Sequence, residues 1–221
     1  MAYTLDFSGL APYAPMFVKG AAVTLGLTAV ATVLGCGLGM LCAAGRNSRH
    51  RELGWLVSTY VELIRNTPFL VQLFFVFFGL PALGVQLNEY TAAILAMTLN
   101  LGAYATEIIR AGMDAVPRGH REAAASLAMS PWQIFRYVVL PQALAKVLPA
   151  LVSQIVIVML GSAVISQISV TDLTYAGSYV QSRTFRAFET YALVALAYLV
   201  LAIVVRAALM FAGRKLMRPA R

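Results

Sequence analysis

Two acid–base pairs sit inside stretches that are otherwise apolar: Glu62 with Arg65, and Glu107 with Arg110. Residues three apart share a face of a helix, so each pair can close a salt bridge within its own helix or to a neighbour. Ionised groups at membrane depth are expensive and face a partner or a cavity. A gate that rearranges as the protein works is the sharper reading of these four. Thr67, Gln72, Asn100 and Ser162 form a second, uncharged polar set. Pro68 removes a backbone donor and is expected to kink its helix, which turns backbone groups toward a solute pathway and makes Thr67 and Gln72 pathway candidates. Helix–helix hydrogen bonding is the plainer role for each of these side chains. None of these residues makes a catalytic set. A hydrolase built on Gly161-Ser162 needs a histidine base at the same depth, and His50 and His120 both fall in polar segments. The phosphate-cradling pattern Gly-x-x-x-x-Gly-Lys-Ser/Thr does not occur, so the chain is not expected to hydrolyse ATP. No metal site is expected. Cys36 and Cys42, six apart on one helix, lie about 9 Å apart along its axis, too far for a disulfide.

The elements that must hold these residues follow from composition. Charged residues make up 12% of the 221 and apolar ones 60%, whereas a soluble domain carries about 25% charge. Too few polar groups remain to clothe a surface in water, and lipid accounts for the deficit. A net charge of +8 would suit nucleic acid in a soluble protein. Here the basic residues cluster between apolar stretches, where they set orientation and meet anionic headgroups, so the bilayer is the partner they indicate and nucleic acid is not.

A hydrocarbon core of about 30 Å needs roughly 20 apolar residues per crossing. Five stretches qualify, at about 17–44, 55–78, 91–113, 150–168 and 190–211, in one all-α domain without linker or repeat. The first has Gly35 and Gly39 on one face, where small residues let helices approach closely. No basic residue precedes Lys19, so the segment lacks the n-region of a cleaved signal peptide and is expected to remain. Basic residues alternate between the connections. Arg46, Arg49 and Arg51 follow the first stretch; Arg110, Arg118, Arg121, Arg136 and Lys146 lie between the third and fourth; Arg206, Arg214, Lys215, Arg218 and Arg221 close the chain. Lys19 alone lies near the start, no basic residue follows the second stretch, and Arg183 and Arg186 precede the fifth. That asymmetry fits five crossings with a cytoplasmic C-terminus and an extracytoplasmic N-terminus.

The polar segment 118–141 is long for so small a membrane protein. Residues 121–129 are rich in helix formers. Ser130 is placed as an N-cap, with Pro131 at the first helical position and Gln133 completing a capping box. A second helix from Pro131 is predicted to end near Leu140, before Pro141. The result is a helix–turn–helix hairpin at the inner membrane surface. Ala123, Ala124 and Ala128 would give its tip low relief, with few bulky side chains, so that another protein could approach closely.

These residues resemble a known family. Glu122-Ala123-Ala124, then Ala128, then Val138-x-Leu140-Pro141 is similar to the EAA loop of ABC-importer permeases: Glu-Ala-Ala, three residues, Gly, nine residues, Ile, one residue, Leu-Pro. The spacing matches throughout, with Ala128 where Gly is usual and Val138 where Ile is usual. Three further runs, VELIRNTPFLVQLFFVFFGLP (61–81), NLGAYATEIIRAG (100–112) and SRTFRAFE (182–189), resemble polar-amino-acid permeases of the histidine/glutamine type. The likeness extends over about residues 18–205.

The resemblance implies a type I importer transmembrane domain. Glu122, Ala123, Ala124, Ala128, Leu140 and Pro141 would belong to a coupling helix docked in a groove of an ATP-binding subunit. Gln72, Asn100 and Ser162 would contact substrate in a central cavity. A dimer of ATP-binding subunits, a second permease chain (identical or paralogous) and an extracytoplasmic amino-acid-binding protein would complete the assembly in the bacterial cytoplasmic membrane. ATP and magnesium would sit on the partner, with no cofactor in this chain. Many relatives carry Lys-Asp where this chain has Leu160-Gly161; an acid there could balance a cationic substrate, and its absence disfavours arginine or lysine. A stand-alone secondary transporter or channel is the alternative. It would want a second, related half or an ionisable relay at mid-membrane, neither of which is evident, and it would leave the hairpin without a purpose.

Overall fold

The computed structural model describes residues 5–46 and 51–216; Arg49, His50, Arg218 and Arg221 lie outside the described residues. Every element among these is helical. A 3-10 turn, Ser8–Tyr13, leads into α1, Ala14–Arg46. α2 is Arg51–Arg65 and α3 is Phe69–Ala82. α4, Glu89–Asp114, starts from an Asn88 cap that accepts the Thr91 N–H at 2.8 Å. α5 is Arg118–Ser126, α6 Pro131–Ile168, α7 Leu173–Thr184 and α8 Ala187–Leu216.

Four of these elements are long and apolar enough to cross a membrane: α1 with its leading turn, α4, α6 and α8. α2 and α3 make a fifth when taken as one broken crossing, bent by 111°. The expected kink at Pro68 is thus a break. Pro68 adopts an extended conformation, ψ 140°, at the start of α3, and its missing N–H leaves the end of α2 unextended.

The hairpin and the fourth crossing differ from expectation more sharply. No helix ends at Leu140, and no new helix begins at Pro149. One helix runs from Pro131 through Pro141 and Pro149 to Ile168. Its turn at Ile134–Val139 is a π-helix, whose wider repeat makes room for the ring of Pro141 and absorbs the hydrogen bond that proline cannot make. The same device precedes Pro81, where Phe75–Gly79 is π-helical.

Glycine sets the tightest contacts in the bundle. A Cβ on Gly35 would stand 2.9 Å from Leu101 Cβ, and one on Gly39 would stand 2.6 Å from Ala105 Cβ. α1 therefore lies against α4 almost backbone to backbone, as small residues permit. The main core gathers Leu73, Met97, Leu101, Ile155 and Ile165 around this pair.

α7 was not foreseen. Asp172 caps it, accepting the Tyr175 N–H at 2.8 Å and the Tyr198 hydroxyl at 3.1 Å, and Thr24 on α1 accepts the Leu173 N–H at 3.3 Å. The run Ser182–Glu189 also acquires a structural role. Arg186 pairs with Asp6 at 2.8 Å and with the fully buried Glu189 at 3.4 Å, while Glu189 accepts the Asp6 N–H at 3.1 Å. The N-terminal segment is thereby tied to the α7–α8 corner. Hydrogen bonds from Ser8, with the Arg186 charge behind them, hold the Asp6 carboxyl below the usual carboxylate range.

Candidate functional site: a cavity at a helix break, an ion-pair hub and a surface hairpin

The break between α2 and α3 opens a cavity of about 410 Å³. Thr67, Pro68 and Phe69 line it from the break, Asn100 and Tyr104 from α4, and Gln154, Ile157, Val158 and Gly161 from α6. Of the residues singled out in the sequence, Thr67 and Asn100 reach this space. Gln72 stands behind it, nearly buried, and acts as a strut. Its Nε2 donates to the carbonyls of Ile64, at 2.7 Å, and Thr67, at 2.9 Å, while its Oε1 accepts from Asn100 Nδ2 at 3.0 Å. The last carbonyls of a helix have no partner within it, and Gln72 supplies one where the chain breaks. Ser162 does not line the cavity. It is fully buried and its hydroxyl donates to the Met159 carbonyl at 2.6 Å, leaving its neighbour Gly161 at the wall. Tyr104 and Gln154 were missed. Tyr104 was legible, since positions 100, 104 and 107 share one helical face.

Below Tyr104 the charges are arranged differently from the expected pairs. Glu62 is exposed and makes no ion pair among the described residues. Glu107 is a hub instead. One carboxylate oxygen accepts from Arg46 at the end of α1. The other accepts from Arg110 at 2.9 Å and lies 3.9 Å from Arg65 on α2. Arg110 also reaches Asp114 at 3.2 Å. The Arg65 guanidinium lies 5.4 Å above the centroid of the Tyr104 ring, within cation–π range. Three helices thus converge on one carboxylate, about one turn along α4 from the cavity-lining Tyr104. In sequence Arg46 belongs only to a basic cluster, because nothing local connects it with Glu107.

The hairpin has the predicted cap: Ser130 accepts the Gln133 N–H at 3.3 Å and Gln133 Oε1 accepts the Ser130 N–H at 2.8 Å. Its surface is not the low-relief one expected. Ala124 is buried against the hairpin's own second arm, while Glu122, Ala123 and Ala128 are exposed. Leu127 is 77% exposed and Trp132 69% exposed, so bulky apolar side chains stand at the tip. Leu140 is half-buried and Pro141 exposed, both inside α6. Ala128 has φ +58°, the left-handed region that glycine enters freely and alanine does not. Two long cations fasten the hairpin to the C-terminal end of α4: Arg121 donates to the Met113 carbonyl at 3.0 Å and Lys146 to that of Ala115. Gly112 packs there against Val147, with Val116, Val139 and Ala143 buried alongside.

A broken helix beside a cavity, a carboxylate held by three arginines and a hairpin on a bundle of membrane-long helices are the parts expected of a membrane permease. The protein-family model for the binding-protein-dependent transport system inner membrane component matches residues 35–218, and the chain belongs to that family. It is 33% identical over 201 residues to the arginine transport system permease protein ArtQ of Bacillus subtilis (strain 168), covering 90% of this chain and 92% of that one. Identity to the glutamine transport system permease protein GlnP of Escherichia coli (strain K12) is also 33%, over 205 residues and the same shares. The crystal structure of an amino acid ABC transporter with histidines superposes with a TM-score of 0.89 at 38% identity, covering 96% of this chain and 100% of that one. The chain is the multi-pass inner-membrane permease of an amino-acid ABC importer, a transporter subunit and not an enzyme. A component of this kind works with an ATPase and a binding protein.

Proposed function

We propose that this permease conducts an amino acid with a neutral polar side chain through the cavity at the α2–α3 break, and that the Glu107 hub gates its cytoplasmic exit. The observation that carries the reading is the vertical order on α4: Asn100 and Tyr104 at the cavity wall, Glu107 one turn below, Arg65 bridging the last two. Arg65 is the looser arm of the hub. Moving α2 away from α4 opens the floor while Arg46 and Arg110 keep Glu107 neutralised.

No charged side chain is among those lining the cavity. Gly161 stands where an acid would balance a cationic substrate, and nothing lies within 4 Å of the Cβ it lacks. A side chain there would project into free space. The permease works as a pair of chains, identical or paralogous, above two ATP-binding subunits that hold ATP and magnesium. The hairpin containing Glu122, Ala123, Ala124 and Ala128, with Leu140 and Pro141 at its base, docks on those subunits. The basic clusters of the hairpin and of the end of α8 face the cytoplasm, and the Asp6–Arg186–Glu189 corner faces the binding protein's side. Alternating access then follows from the differential affinity of the two states for ATP and substrate.

The test is amino-acid binding to the purified importer without its binding protein. Wild-type protein is expected to prefer glutamine or histidine to arginine and lysine. The Gly161→Asp variant is expected to gain about tenfold in affinity for arginine, the worth of one charge-assisted hydrogen bond. An unaltered preference in that variant contradicts the assignment of the cavity.

A further inference from the structure

We infer that the cytoplasmic half of α8 carries a binding face for an anionic phospholipid, with Arg206 and Arg214 as its phosphate ligands. Only 11% of the most apolar window of α8 is buried, against 33–50% for the other long helices, so most of this helix is left uncovered by the rest of the chain. It packs on the bundle through Val205 and Leu209, and through Gly213, whose missing Cβ would meet Leu148 at 2.5 Å. Around the helix from that contact, one exposed face of α8 bounds a shallow hollow of about 510 Å³ with Ile203, Arg206, Ala207, Met210, Phe211 and Arg214.

The two arginines are exposed and have no acidic partner among the described residues. Eight residues apart, they are separated by about 12 Å along the axis. Helical side chains lean toward the N-terminus, so Arg214 leans toward the bilayer, while Arg206, deeper in the span, extends its long stem to reach the interface. Both guanidinium groups can then reach one headgroup, and Ile203, Met210 and Phe211 supply an apolar surface for its acyl chain. A guanidinium at the edge of the hydrocarbon needs an anion. Phosphate accepts its bidentate donors, and the cytoplasmic leaflet supplies phosphate together with net negative charge. The inference rests on the orientation given above, which accessibility of Lys215 to a membrane-impermeant reagent checks separately.

The complete importer, reconstituted in nanodiscs of phosphatidylglycerol and phosphatidylcholine and then released, is assayed by native mass spectrometry for lipid that stays bound. Wild-type protein is expected to retain phosphatidylglycerol in preference to phosphatidylcholine. The doubly substituted R206A/R214A protein is expected to lose about thirtyfold of that preference, roughly fivefold per arginine, and the R206K/R214K protein to keep most of it. Equal retention of the two lipids by wild-type protein overturns the inference, as does an undiminished preference in R206A/R214A. So does cross-linking between cysteines placed at Ile203 in two permease chains, which would show that a second copy covers this face. Retention unaffected by millimolar inorganic phosphate is expected for a lipid site; displacement by it contradicts one.

Discussion

Ala128 is the residue where sequence and structure explain each other most directly. The family pattern has glycine there, and the backbone has φ +58°, so the glycine serves the turn between the hairpin's arms. An L-residue in that region is disfavoured by about 1 kcal/mol or more. Ala128→Gly is therefore expected to raise the thermal stability of the purified protein slightly and to leave uptake intact; a loss of stability would show that the turn has another geometry. Glu107 is the second such residue. Replacing it with Gln leaves three arginines around an uncharged side chain, and uptake per ATP hydrolysed is expected to fall severalfold. Glu62→Gln is expected to stay within about twofold of wild type, because Glu62 is exposed and unpaired among the described residues. Equal effects of the two substitutions would remove the hub from the mechanism. Spacing alone pairs Glu62 with Arg65 and Glu107 with Arg110, and only the Glu107–Arg110 pair forms as read. Spacing cannot report Arg46, whose contact with Glu107 spans 61 positions.

At the scale of elements, local rules held for Pro68, Pro131 and the glycines of α1 and failed for Pro141 and Pro149. Pro141 reads as a helix end, yet α6 continues, because a π-turn upstream accommodates it. That adjustment depends on packing against Val116 and Ala143, which periodicity does not encode. Gly35 and Gly39 read as a close-approach face and are one. The joint between hairpin and α4 has a testable consequence. Arg121 and Lys146 are exposed, so their hydrogen bonds contribute little to stability, but they link the hairpin to the helix that carries Asn100, Tyr104 and Glu107. The R121A/K146A protein is expected to fold normally and to hydrolyse ATP with its partner, with uptake per ATP at least about threefold lower. Unchanged stoichiometry would mean that the buried contact of Gly112 with Val147 carries the motion alone.

For the whole molecule, composition was enough to indicate an all-helical membrane protein, capping residues indicated its hairpin, and family resemblance supplied its role. What the sequence did not give is the vertical stacking of cavity, floor and joint along α4. That arrangement exists only once α2 has broken at Pro68 and folded its end over Tyr104. The exposed Leu127 and Trp132 at the hairpin tip are the apolar side chains that the proposed docking would cover, and a buried Trp is a frequent anchor of protein interfaces. Uptake by the complete importer in proteoliposomes carrying Glu122→Lys, scored together with membrane insertion and retention of the ATP-binding subunit, tests this account most directly. The inserted variant is expected to lose ATP-coupled uptake and hold its ATPase more weakly, whereas uptake equal to wild type would contradict the transmission of work through the hairpin.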